Sequence, residues 1–179
     1  MSLRLFVAAE LPGEVVEALL GWRPDDDRLR PVAPEALHVT LAFLGSRAEE
    51  DVPVVEAALE RARRPVTALA LGDALWLPRR RPRVLAVELF DGDGALAALQ
   101  RDVSGGLEEG IGWTPERRPF LAHVTVARVR PGAGGRMPEP SDPPVLGPFP
   151  AAALTLFRSH LSPRGARYES LWRKTLDSA

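Results

Sequence analysis

The chain has no cysteine, and its one lysine is Lys174. The first absence excludes disulfides, thiolate ligands and cysteine nucleophiles, and it fits a reducing compartment. The second makes arginine nearly all of the 23 basic residues. Arginine's planar fork suits phosphate, although compositional bias toward Arg and Ala accounts for most of them. There is no charge excess either. A net charge of −1 gathers no nucleic acid from a distance, so any such contact is local. No apolar run reaches the roughly 18 residues that cross a bilayer, and no signal-peptide pattern opens the chain. The expectation is a cytoplasmic protein without membrane contact. With 179 residues, 45% apolar and 26% charged, the chain can bury one core, and 1–179 is read as a single domain.

Histidine is scarce as well, and its placement is the informative feature. Two of the three histidines open the same tripeptide, His38-Val39-Thr40 and His123-Val124-Thr125. Valine is 16 and threonine 6 of the 179 residues, so a given His meets Val-Thr by chance roughly 0.3% of the time. Both copies lie in apolar, β-prone runs, Leu37 to Leu44 and Phe120 to Ala127. In a strand, alternate side chains share a face. His38 pairs with Thr40 on one side and His123 with Thr125, while Val39 and Val124 turn to a core. Two such strands frame a cleft with two imidazoles and two hydroxyls. Imidazoles exchange protons near neutral pH, so one can serve as general base and the other as general acid. Threonine hydroxyls donate to oxygens bearing negative charge. The set fits phosphoryl or acyl transfer. Two unrelated core histidines would not repeat spacing, residue types and flanks together.

Four stretches resemble one family in order along the chain. They are Arg4 to Ala8 with Glu10-Leu11-Pro12, Leu37 to Gly45, Phe120 to Arg128, and Leu161 to Tyr168. They resemble the 2H phosphoesterase superfamily, and more narrowly the RNA 2′,3′-cyclic phosphodiesterases, formerly 2′-5′ RNA ligases. One departure is Ala122, where the family usually has Pro before the second His. The resemblance implies an α+β, bilobal fold: two pseudo-twofold related lobes whose antiparallel sheets flank a central cleft, helices outside. It implies His38 as proton donor and His123 as acceptor, roles that the residues themselves leave open. It implies substrate contacts from Thr40, Thr125 and Arg128, no cofactor and no metal. The substrate would be RNA ending in a 2′,3′-cyclic phosphate, tRNA fragments among the candidates. The product would be a 2′-phosphate, 2′-5′ ligation would be the reverse reaction, and the protein would be a monomer.

Arg128 resists a simple geometric reading. Five positions after His123, it falls on the opposite face of a regular strand, and reaches the cleft only if the strand bulges, bends or ends. Other features have competing readings. Asp25-Asp26-Asp27 reads as a solvated turn rather than a metal site. Arg79-Arg80-Arg81-Pro82-Arg83 is either a basic lip for RNA or an exposed turn. His160, lacking the Val-Thr partners, reads as structural or exposed. Strands are expected at 3–9, 37–44, 66–77 with an irregularity at Gly72, 84–90, 120–130, 152–161 and 166–176. Helices are expected at 13–22, 48–64 and 95–107, and irregular chain at 24–34 and 131–150. Rival functions are a 2H enzyme acting on a small cyclic nucleotide or 2′-5′ oligoadenylate, a non-catalytic RNA-end binder, and a two-histidine metal site that would lack a ligand set.

Overall fold

Along the first strand Leu5, Val7 and Ala9 alternate with Phe6 and Ala8, and both rows are buried. A strand covered on both faces belongs in the middle of a sheet. The computed structural model, which describes residues 1–176, puts it there. β1 (Ser2–Glu10) pairs antiparallel with β3 (His38–Ala48) on one side and β7 (Ala153–His160) on the other. The remaining strands are β2 (Leu29–Pro31), β4 (Leu69–Leu77), β5 (Val84–Asp91), β6 (His123–Val129) and β8 (Arg167–Thr175). They form one eight-stranded sheet in the order β4-β5-β6-β3-β1-β7-β8, with β2 added to β6. The helices are α1 (Gly13–Trp22), α2 (Val52–Ala62) and α3 (Ala95–Ile111). The fold is α+β, as expected.

The main core gathers Val39, Val124 and Val126 of the motif strands with the apolar stripes of α2 (Val55, Ala58, Leu59) and α3 (Leu96, Leu99, Val103, Leu107). The opposite side of β1 carries a small separate cluster of Phe6, Ala8 and Phe157 with Tyr168 against it. The site is built on that side. The expected irregularity at Gly72 is a bulge between Leu71 and Ala74 in the β4–β5 ladder, and a Cβ on Gly72 would lie 3.1 Å from the Glu88 carbonyl oxygen.

Three expectations need correcting. β3 does not end at Leu44 but runs through Gly45 to Ala48, so α2 starts only at Val52. α3 does not end near Gly105-Gly106 but runs to Ile111, where Gly112 at φ 59° stops it. The mid-helix glycine is there for close packing: a Cβ on Gly106 would come within 3.1 Å of the Ala58 Cβ. Within the stretch read as loop, Leu29–Pro31 pairs with β6. Three residues, one of them proline, carry no periodicity of their own. Asp26 and Asp27 do lie in a turn, closed by the Leu29 N–H donating to the Asp26 carbonyl, and the Asp26 carboxylate accepts from Arg28 Nε at 3.0 Å and Nη2 at 2.6 Å.

Candidate active site

The two motif strands are neighbours in the sheet, joined at a single residue pair, Val39 with Val124. In an antiparallel ladder, counting outward from that pair places His38 beside Thr125 and Thr40 beside His123. Both valines point into the core, so all four polar side chains emerge on the other face. Each imidazole therefore has the other strand's hydroxyl for a neighbour.

Both motif strands are bulged three residues after their histidine. On β6, Ala127 and Thr125 oppose consecutive residues Leu85 and Ala86 of β5, which leaves Val126 as the extra residue. On β3, Ala42 and Thr40 oppose consecutive Val7 and Ala8 of β1, which leaves Leu41 extra. A bulge shifts the alternation by one, and the burial follows it: Val126 and Ala127 are both buried, as are Leu41 and Ala42. The residue five positions after each histidine thus returns to the histidine's face. Arg128 and Phe43 hold these equivalent places, and both line the cleft. The odd-offset objection to Arg128 is answered by Val126.

The cleft has a volume of about 440 Å³ and contains His38, Thr40, His123, Thr125 and Arg128 together. Arg4 and Arg30 add two more guanidinium groups, and the Arg4 guanidinium lies 4.6 Å from the centre of the Phe43 ring. The β7–β8 hairpin closes one side with Leu161, Ser162, Gly165, Ala166 and Tyr168. Sequence reasoning missed Arg4, Arg30, Phe6 and Tyr168 as site residues. Arg30 had no signal, since its place depends on β2 pairing Arg30 with Arg128.

The histidines are held differently. His38 is 9% exposed and sits among aromatic rings, stacked on Phe6 at 5.2 Å and Phe157 at 5.7 Å with Tyr168 edge-on at 5.7 Å. Its Nδ1 is buried without a hydrogen-bond partner. Burial pushes its pKa down to about 4. The Glu35 carbonyl, too poorly placed to count as a bond, and the Glu10 carboxylate oppose that, while the Arg128 charge adds to it. Glu10 faces His38 in the β1–β3 ladder and is held by Arg173 Nε at 3.0 Å and by the Thr155 hydroxyl. His123 is half-buried, and its Nδ1 lies 2.8 Å from the Leu121 carbonyl oxygen. A carbonyl only accepts, so Nδ1 carries the proton and, in the neutral ring, Nε2 keeps its lone pair for the cleft. His160 is tied to Glu169 at 2.7 Å and does not line the cleft. Of the arginine run, Arg83 borders a cavity beside the cleft; Arg79, Arg80 and Arg81 lie in an exposed turn. Among the described residues, no group of three His, Asp or Glu is placed to hold a metal ion. Two imidazoles, two hydroxyls and three guanidiniums suit proton exchange around a bound anion.

The family profile described as LigT like phosphoesterase matches residues 10–86, which include the first motif. An RNA 2′,3′-cyclic phosphodiesterase of Thermus thermophilus is 34% identical over 97% of this chain and 90% of its own. The chain belongs to the LigT-like phosphoesterase family. A second relative, the RNA 2′,3′-cyclic phosphodiesterase of Escherichia coli, is 32% identical over 70% of this chain and 71% of its own. The fold agrees along its length. A solved structure from Thermus thermophilus superposes with a TM-score of 0.79 at 32% identity, covering 97% of each chain. Escherichia coli LigT in complex with 3′-AMP superposes with 0.80 at 28% identity, covering 99% of this chain and 100% of the other. No helix among the described residues is long and apolar enough to cross a membrane.

Proposed function

We propose that the chain, acting as one 2H phosphoesterase unit over 1–179 with two lobes sharing the cleft, hydrolyses RNA ends that carry a 2′,3′-cyclic phosphate. The observation that carries this is the crossed quartet, each imidazole beside the other strand's hydroxyl, in a family member whose relatives are RNA 2′,3′-cyclic phosphodiesterases. His123, with Nε2 free to accept, takes the proton of the attacking water. His38 gives a proton to the departing ribose O3′, leaving a 2′-phosphate. Thr40, Thr125 and Arg128 hold the phosphoryl oxygens. The buried His38 ring is neutral near pH 7. An anionic phosphate beside it favours the imidazolium, so the substrate itself helps to charge the acid. With a 5′-hydroxyl in place of water, the same groups open the 2′,3′-cyclic phosphate to a 2′-5′ phosphodiester and a 3′-hydroxyl. The protein works as a cytoplasmic monomer without metal or cofactor, on RNA fragments such as those of tRNA.

The test is a short RNA with a 2′,3′-cyclic phosphate end, analysed against authentic 2′- and 3′-phosphate standards. The expected product is the 2′-phosphate, formed equally well in EDTA. A predominant 3′-phosphate, or a chelator-sensitive rate restored by a divalent ion, would overturn the mechanism.

A further inference from the structure

A second cavity, of about 1010 Å³, adjoins the cleft and shares Thr40, Phe43, His123 and Arg128 with it. His38 and Thr125 do not border it. Its floor and walls come from α3 (Gln100, Ser104, Gly105) and from the segment that leads into β6 (Trp113, Pro119, Phe120). Arg83, Arg101 and Arg118 stand exposed at its border, with Glu108 and Glu116 among them. A group lodged there meets His123 and cannot meet His38. We propose that this cavity is the acceptor site: it holds a nucleoside, the end of an RNA strand, whose free 5′-hydroxyl attacks the cyclic phosphate from the His123 side.

The inference rests on the phosphodiesterase reading of the cleft and adds the position and class of the second substrate. In-line displacement puts entering and leaving groups on opposite sides of phosphorus. His38, enclosed by Phe6, Phe157 and Tyr168, serves the leaving side. His123, on the wall between the two cavities, serves the entering side. The acceptor's 5′-oxygen forms the new P–O bond while its proton passes to His123 Nε2. The P–O3′ bond breaks, and O3′ takes a proton from His38, which leaves a 2′-5′ phosphodiester and a 3′-hydroxyl. Water by the same route gives hydrolysis. Water alone does not account for the space, since one molecule fills roughly 30 Å³. The exposed wall surface is mostly apolar, with charged groups set at the border, a make-up suited to a small organic ligand. Phe43, 43% exposed, borders both cavities and offers a ring to a base. Arg83 and Arg101 are placed to meet the phosphates of a strand continuing outward.

Gly105 supplies the test. A Cβ there would have no atom within 4 Å, and any ordinary residue is a better helix former than glycine. Gly105→Phe therefore fills the cavity without straining α3, and Gly105→Ala is too small to fill it. Adenosine 2′,3′-cyclic phosphate is the donor and uridine the acceptor, with hydrolysis and dinucleotide formation followed together. The wild type and Gly105→Ala are expected to form the 2′-5′ dinucleotide with saturation in uridine. Gly105→Phe is expected to lose at least about tenfold of transfer while hydrolysis stays within about twofold. Equal transfer by Gly105→Phe, or an equal fall in both reactions, would overturn the proposal. So would a defect confined to the hydrolysis of longer cyclic-phosphate RNA, because the cavity would then hold the donor strand. A wild type that leaves the cyclic phosphate intact would remove the phosphodiesterase reading, and the acceptor site with it.

Discussion

His38 and His123 open the same tripeptide and live in different surroundings. His38 is stacked against two phenylalanines, with a buried, unpartnered Nδ1. His123 is half-open, with Nδ1 held by the Leu121 carbonyl. In the proposed mechanism each moves one proton, so replacing either with Ala is expected to lower kcat by roughly 10²–10⁴ while circular dichroism keeps its native form. Either variant keeping more than half of wild-type kcat would end the two-histidine scheme. The quartet was legible because a repeated tripeptide needs only strand alternation to become a cluster. Arg4, Arg30 and Tyr168 were not, because nothing local sends them to the cleft. Arg30 arrives through a three-residue strand, and Tyr168 through the β7–β8 hairpin, where it pairs with Ser159.

At the scale of elements, the bulges decide what the cleft contains. Were Val126 paired like its neighbours, the odd offset from His123 would put Arg128 on the core face beneath the sheet. No residue type announces a bulge, since Val126 is an ordinary strand former and the odd offset argued against Arg128. Leu41 repeats the feature at the equivalent place and delivers Phe43. The element order, by contrast, was readable nearly throughout, because long amphipathic helices and alternating strands carry their period in the sequence. Arg128→Ala is expected to lower kcat/KM about 10- to 150-fold, the size of a lost charged hydrogen bond. Deleting Val126 regularises the ladder and leaves Arg128 at an even offset from His123, still on the cleft face, so it is expected to cost far less than removing the guanidinium. Steady-state kinetics on one substrate compares the two. A folded deletion variant whose kcat/KM fell as far as that of Arg128→Ala would mean that strand alternation is not what aims the guanidinium.

The whole molecule feels the burial of His38 through its stability. The ring has a pKa of about 4 in the folded protein, against 6.5 as the ordinary value. Between those values the unfolded chain holds a proton that the folded chain refuses. Protons then favour unfolding, so the contribution is fully present above pH 6.5 and is lost as pH falls toward 4. The shift corresponds to about 3 kcal/mol, a sizeable part of the roughly 5–15 kcal/mol by which a domain is stable. The paired Asp26 is held down to about 2 by its hydrogen bonds and charge contact with Arg28, so its titration falls below this window. Urea unfolding of the wild type at pH 7 and pH 4.5 is therefore expected to show a loss that His38→Gln does not share, most of the roughly 3 kcal/mol appearing as the difference between the two proteins. An anionic phosphate in the cleft favours the charged ring, so a bound nucleotide is expected to reduce the wild-type loss and to move the His38 Cε1–H titration in proton NMR to higher pH. Equal acid losses in the wild type and the variant would mean that His38 titrates as if it were exposed, and that the aromatic enclosure does not hold the acid neutral until substrate arrives.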